Sequence, residues 1–132
     1  MKLNVIIIDD SGVQLALSSK LIEQNENLNL VGTFTNPFLG LNAVNSENVD
    51  LVLLDVEMPE IDGFALQKLF NENIAVVMNS TRGSFELQAY LNGAIDFMAK
   101  PLSAKRLDRA VSRVAEMKHI LAFEKSINSV AI

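Results

Sequence analysis

Between Asp50 and Gly63 the chain reads DLVLLDVEMPEIDG. Four consecutive apolar residues, Leu51 to Leu54, run straight into an acid, Asp55. A short continuous apolar run suits a strand covered on both faces. Pro59 and Gly63 then break any regular element. An acid at the C-terminal end of a buried parallel strand stands where open α/β sheets place their chemistry. Taken alone, Asp55 is equally readable as a cap for the turn that follows.

Four more runs share this character. Asn4 to Ile8 predicts a first strand that ends at the acid pair Asp9-Asp10. Leu30, Val31, Thr33 and Phe34 predict a shorter second strand. Ile74 to Met78 predicts a fourth, closed by Asn79, Ser80 and Thr81. Ile95, Phe97 and Met98 predict a fifth that stops at Lys100-Pro101.

Helical spacing fills the gaps. Val13, Ala16, Leu17, Leu21 and Ile22 follow Ser11, a candidate N-cap. Leu39, Ala43 and Val44 follow Asn36-Pro37, an N-cap with proline at the first helical position. Phe64, Leu66, Leu69 and Phe70 follow Asp62, another candidate cap. Phe85, Leu87, Ala89, Tyr90 and Leu91 mark a short helix. A last helix begins near Ser103, burying Leu107, Ala110, Val111 and Val114 and showing Arg106, Arg109 and Arg113 to solvent. Beyond Glu116 the pattern loosens, and Ile120, Leu121, Phe123 and Ile127 extend that helix or belong to a linker. The βαβαβαβαβα order predicts one α/β domain, a parallel sheet with helices on both faces.

Composition removes several function classes. Among 132 residues there is no cysteine and one histidine, His119. Disulfide chemistry, thiolate zinc sites and histidine-rich metal clusters are therefore excluded. Neither nucleotide-binding glycine signature is present. No run reaches membrane-spanning length, and the apolar start is too short for a signal peptide, so a cytoplasmic protein without membrane contact is expected. A net charge of -5 argues against direct nucleic-acid binding by this chain. The charge is uneven: four basic and thirteen acidic residues precede Phe97, and seven basic and three acidic residues follow from there. The basic part is a docking face or the solvated side of a helix.

Parallel strands bring their C-terminal ends to one edge. Asp9, Asp10, Asp55, Ser80 with Thr81, and Lys100 would then surround one small cavity. Clustered carboxylates repel one another unless a cation joins them. Oxygen ligands from one or two carboxylates plus water suit Mg²⁺. Such a cation offsets charge developing on a phosphoryl group, with Lys100 as a second point charge and a serine hydroxyl on another oxygen. Asp55 could be a nucleophile that forms an aspartyl phosphate. A phosphatase and a simple Mg²⁺ site remain compatible with the same residues. So does a Lys100 that only neutralises surplus acid.

The acid pair Asp9-Asp10, the D-x-x-M-P run Asp55 to Pro59, Gly63, Ser80 and Lys100-Pro101 together resemble the receiver domain of bacterial two-component response regulators. The likeness covers residues 2 to 118. It implies a flavodoxin-like (βα)5 fold, a doubly wound five-stranded parallel sheet in the order 2-1-3-4-5. It also implies a receiver at 1–118 and a helical extension or linker at 119–132. Asp55 is then the residue phosphorylated by a histidine kinase or phosphotransfer protein. Asp10, Asp55 and the backbone carbonyl of Glu57 hold Mg²⁺, and Asp9 holds a metal-bound water. Ser80 and Phe97 take the switch positions, and the Lys100-Pro101 bond is cis. The body SFELQAYLNGAIDFMAKP resembles receivers that precede a LytTR-type DNA-binding domain.

The resemblance further implies homodimerisation through the last two helices and fifth strand. Arg106, Arg109 and Arg113 with Asp96 and Asp108 are candidates for the paired contacts. A phosphorelay intermediate and a non-switching interaction domain are the alternatives. Three positions depart from the family pattern. Thr81 replaces a small residue and is expected to crowd the phosphoryl approach. Glu57 and Arg82 flank the site with opposite charges, and an ion pair between them is expected to slow attack by water. Tyr90 is expected to be a packing residue, and His119 a solvated one.

Overall fold

The computed structural model describes residues 2–130, without the side chains of 121, 122 and 128–130. Five strands alternate with five helices: β1 Leu3–Ile8, α1 Gly12–Glu23, β2 Leu28–Phe34, α2 Pro37–Ser46, β3 Leu51–Asp55, α3 Gly63–Gln67, β4 Ala75–Ser80, α4 Glu86–Leu91, β5 Asp96–Ala99 and α5 Ala104–Val130. The strands form one sheet in the order β2-β1-β3-β4-β5, and every neighbouring pair is parallel. This is the doubly wound arrangement the sequence predicts. Among the described residues no helix is long and apolar enough to cross a membrane.

The apolar runs are continuous because each sheet face is covered. Along β1, Ile6 and Ile8 face one core while Val5 and Ile7 face the other. β3 divides the same way, with Val52 and Leu54 on one side and Leu51 and Leu53 on the other. The first core takes Val44 of α2, Phe64 and Leu66 of α3, and Ala89 of α4. The second takes Ile22 of α1 and Leu107, Ala110, Val111 and Val114 of α5. The chain leaves β1 toward β2 on one side and returns to β3 on the other. The crevice outside the ends of β1 and β3 is thus the topological switch point, where such sheets bind ligands.

Side-chain oxygens of Ser11, Asn36 and Asp62 accept the orphan amides that open α1, α2 and α3. Several boundaries and faces depart from the sequence expectation. Asn79 does not close β4 but lies inside it, paired in register with Asp55. α3 stops at Gln67, and Leu69 and Phe70 continue it only as tight turns, donating to Leu66 O and Gln67 O at 3.0 and 3.1 Å. Val13 and Leu17 of α1 and Leu39 of α2 are exposed. In α1 the inward face runs through Ser18 and Ile22, with Leu15 and Leu21 packed at its margin. α5 continues unbroken through the region where the sequence pattern loosens. Residues 131 and 132 of the expected extension, and the side chain of Leu121, lie outside the described residues.

Candidate functional site

β1 is followed directly by Asp9, which is fully buried, and Asp10, which is exposed. β3 ends in Asp55, only 4% exposed. Carboxylate oxygens of these three residues lie within 4.8 Å of one another. Lys100 follows β5 and is held in place by its own N–H, which donates to Ser80 O at 2.9 Å. Its ammonium lies 2.9 Å from Asp9 Oδ2 and 3.0 Å from Asp55 Oδ1. The Lys100-Pro101 peptide is cis. Gly63 fits tightly under this end of the sheet. A Cβ there would lie 2.5 Å from Asp55 O and 3.1 Å from Val56 Cα, so the loop after β3 can close only over glycine.

One ammonium does not balance three carboxylates. Burial, a hydrogen bond with Asp10 and the charge of Asp9 together raise Asp55 to about 7, against the pull of Lys100. Burial alone would lower Lys100. Its hydrogen bonds to Asp9 and Asp55 outweigh that effect, and it is held above its ordinary value. Both shifts have the same origin: surplus negative charge in a place poorly reached by water. Among the described residues, Asp9 Oδ2 has no hydrogen-bond partner beyond the ion pair. This hard-oxygen set fits a small divalent cation.

Ser80 closes β4 and is buried. Its Oγ accepts the Arg82 N–H at 3.0 Å, which leaves its hydroxyl proton free to donate toward the site. Thr81 is exposed. Glu57 and Arg82 do meet, with Arg82 Nε 3.5 Å from Glu57 Oε1, but the side chains are 46% and 67% exposed. A screened pair of this kind is worth little to stability. Phe97 is buried, in the same core cluster as Met78 and Phe64. His119 is exposed. A cleft of about 540 Å³ opens beside Asp10 and Glu57, floored by Met58, Phe64 and Phe85.

Asp96 was expected among intermolecular contacts, with Arg106 and Arg113 turned to solvent. The structure corrects this. Asp96 is fully buried at the start of β5. Arg106 straddles it, with Nη1 2.8 Å from Oδ2 and Nη2 2.6 Å from Oδ1. Arg106 Nη2 also donates to Phe97 O at 2.6 Å. Arg113 and the Tyr90 hydroxyl each donate to Asp96 Oδ1 at 2.9 Å. The cluster therefore ties α4, β5 and α5 together, and Tyr90 is a hydrogen-bonding residue as well as a packing one. The physical reason is simple: a buried carboxylate draws in whatever donors can reach it. The spacing of Arg106 and Arg113, seven residues apart on one helix face, was the available signal.

A family model described as the response regulator receiver domain matches residues 5–112. Among curated proteins, a protein-glutamate methylesterase/protein-glutamine glutaminase of Oceanobacillus iheyensis is 38% identical over 97% of this chain, which spans 38% of that protein. An uncharacterized response regulatory protein of Vibrio vulnificus is 26% identical over 98% of the chain and 54% of its own length. The chain thus spans about half or less of these relatives. Among solved structures, NtrX from Brucella abortus in complex with ADP superposes with a TM-score of 0.83 at 26% identity, covering 96% of this chain and 30% of that one. A CheX–CheY–BeF3–Mg²⁺ complex from Borrelia burgdorferi superposes at 0.71 with 26% identity, covering 85% and 88%. With the acid cluster, the buried lysine and the sheet order in agreement, the chain belongs to the response regulator receiver domains, the phosphoacceptor switch modules of two-component systems.

Proposed function

We propose that Asp55 is the phosphoacceptor. The observation that carries this is the buried Asp55 carboxylate within 4.8 Å of the Asp9 and Asp10 oxygens and 3.0 Å from Lys100 Nζ. An oxygen of Asp55 attacks phosphorus, the bond from phosphorus to the donor imidazole breaks, and the imidazole keeps the electron pair and takes up a proton. Lys100 stands ready for one equatorial oxygen and the Ser80 hydroxyl for another, so that positioning and electrostatics do most of the catalysis. Asp9, Asp10 and Asp55, with the Glu57 carbonyl, would hold Mg²⁺, which supplies the positive charge that keeps Asp55 ionised and offsets charge on the transferring group. The donor is a histidine kinase or a phosphotransfer protein.

Phosphorylation then biases the α4–β5–α5 region. Ser80 gives up its present geometry to reach the new dianion, and the buried Phe97 fixes β5 against the core. The interaction face changes partner, and homodimerisation through that face is the proposed readout. Arg109 remains for paired contacts, since Asp96 is occupied within its own domain and Asp108 Oδ1 accepts from Asn25 Nδ2 at 3.1 Å. For the output there are two readings. The SFELQAYLNGAIDFMAKP segment supports a LytTR-type DNA-binding partner domain. The 38% identity to a methylesterase/glutaminase supports an effector of that kind instead. Incubation with acetyl phosphate and Mg²⁺ followed by intact mass tests the site. One phosphoryl group is expected on the wild type and none on Asp55→Asn; equal uptake by both would refute the assignment. Sizing of the phosphorylated sample separates a dimerising switch from a monomeric relay.

A further inference from the structure

One buried polar group beside the site has no partner of its own. Asn79 is 1% exposed and stands one residue before Ser80, at the end of β4. Among the described residues its Oδ1 has no hydrogen-bond partner. An amide oxygen shut away from water without a donor lowers stability, so its presence calls for a reason. An apolar residue would suit the place, for the same sheet face carries Leu53, Val77 and Met98 one layer deeper.

Strand register places Asn79 on the path of Lys100. Residues two apart on a strand share a face. Asp55, Asn79 and Lys100 each stand two residues beyond Leu53, Val77 and Met98, which line one core. Asn79 pairs in register with Asp55 on one side and Met98 on the other. Lys100 follows β5, yet its ammonium meets Asp55 at the end of β3, and β4 lies between those strands. The lysine stem therefore crosses the end of β4 on the face that carries Asn79.

The two groups have matching deficits. An ammonium has three N–H donors, and the carboxylates of Asp9 and Asp55 take two. Asn79 Oδ1 lacks a donor. While Asp55 is anionic, a neutral amide competes poorly with two carboxylates, because charge-assisted hydrogen bonds are about twice as strong. Phosphorylation changes that balance. The Asp55 oxygen that bonds phosphorus becomes the bridging oxygen of an acyl phosphate, and the charge moves outward onto the phosphoryl group.

We propose that Asn79 is a positioning residue for Lys100, whose ammonium, once Asp55 is phosphorylated, directs its three N–H groups to Asp9, a phosphoryl oxygen and Asn79 Oδ1. The inference rests on Asp55 as phosphoacceptor and adds the group that holds the lysine in place. An oxygen left unpaired at rest and paired during transfer favours the transition state over the ground state.

Asn79→Val and Asn79→Ala both remove the oxygen, the first with a strand-forming side chain and the second with no added bulk. With acetyl phosphate and Mg²⁺, an Asp55 oxygen bonds phosphorus, the bond from phosphorus to the acetyl oxygen breaks, and acetate leaves with the electron pair. Intact mass over time should show this transfer slowed on the order of tenfold in both variants, as for loss of one hydrogen bond to a charged group. In the resting state Asn79→Val should unfold at the same denaturant concentration as wild type or a higher one, since an orphaned acceptor is gone. Lys100 gives the readout that a purely structural residue would leave unmoved. In proton–nitrogen spectra under phosphorylating conditions, its ammonium protons should exchange with water on the order of tenfold faster in Asn79→Val than in wild type. Equal exchange, equal transfer rates, or no protected ammonium in the phosphorylated wild type overturns the role. Failure of both variants to fold makes Asn79 a scaffold residue and overturns it as well. No uptake by the wild type refutes Asp55 as phosphoacceptor and the inference with it, whereas uptake that is unchanged in both Asn79 variants and absent from Asp55→Asn refutes Asn79 alone.

Discussion

Two buried aspartates of this domain have opposite fates. Asp55, at the end of β3, faces two other carboxylates and one ammonium, and it is raised to about 7, chiefly by burial. Asp96, at the start of β5, would also be raised by burial. Hydrogen bonds from Arg106, the Phe97 amide and Tyr90 outweigh that, and it is held below its ordinary value. Residue type and burial are alike, so the difference lies in the neighbours. Asp96 has its charge fully answered within the protein and acts as a structural tie. Asp55 has its charge left over, and a site with surplus charge is one that recruits something: a cation, and then a phosphoryl group. Burial of an acid is therefore not in itself a functional signal. An unanswered buried charge at a strand end is.

This comparison is sharpest in the pH dependence of stability without divalent cations. Asp55 has a folded pKa above its unfolded one. Its favourable contribution is full below the ordinary value of 3.8 and is lost as pH rises through about 7. The loss is at most about 4 kcal/mol, from the size of the shift. Asp96 has the opposite sign: its contribution is present above the unfolded value and disappears as pH falls through the depressed folded one. Denaturant melts across pH 3 to 8 should show stability peaking near the acidic end of that range. Asp55→Asn should flatten the fall toward pH 8 and be more stable than wild type there. If its profile runs parallel to wild type, the charge surplus at Asp55 is wrong.

Asp96→Asn should move stability the other way, by a loss of about 3 kcal/mol at pH 7, because a buried ion pair loses one partner. Arg106 and Arg113 are partly exposed and can regain water, which keeps the cost at the lower end of such losses. A neutral outcome would mean that the tie between α4, β5 and α5 contributes nothing. Mg²⁺ comes next in size. At a hundredfold excess over its dissociation constant it should stabilise the wild type by about 2.7 kcal/mol, with most of that absent from Asp10→Asn. Equal stabilisation of both proteins would place the cation elsewhere.

The smallest effect belongs to the Glu57–Arg82 pair. Arg82→Ala should change stability by no more than about 0.5 kcal/mol, since both side chains are well exposed. The effect expected of the pair is kinetic. Phosphorylated Arg82→Ala should lose its phosphoryl group faster than wild type, measured by intact mass over time. An unchanged rate would show that the ion pair does not hinder water.

Much of this was legible in the chain itself. Strand ends are local features, since an apolar run that stops at an acid, a serine or a lysine shows where the sheet edge falls. Parallel topology then gathers those ends without further information. Asp9, Asp10, Asp55, Ser80 and Lys100 could thus be assembled from sequence alone, as could the sheet and its helices. Helix faces were less legible. Val13, Leu17 and Leu39 have the spacing of buried residues and are exposed, because packing phase is set by neighbours distant in sequence.

Only the tertiary structure decided how charges pair. Arg106 and Arg113 look like the solvated side of a helix until β5 places a buried carboxylate beneath them. The acidity of Asp55 depends on groups 45 and 46 residues away along the chain, at the ends of two other strands. The reason is common to both cases. Sequence periodicity reports which residues leave water, whereas electrostatics depends on distances that exist only after the chain has folded.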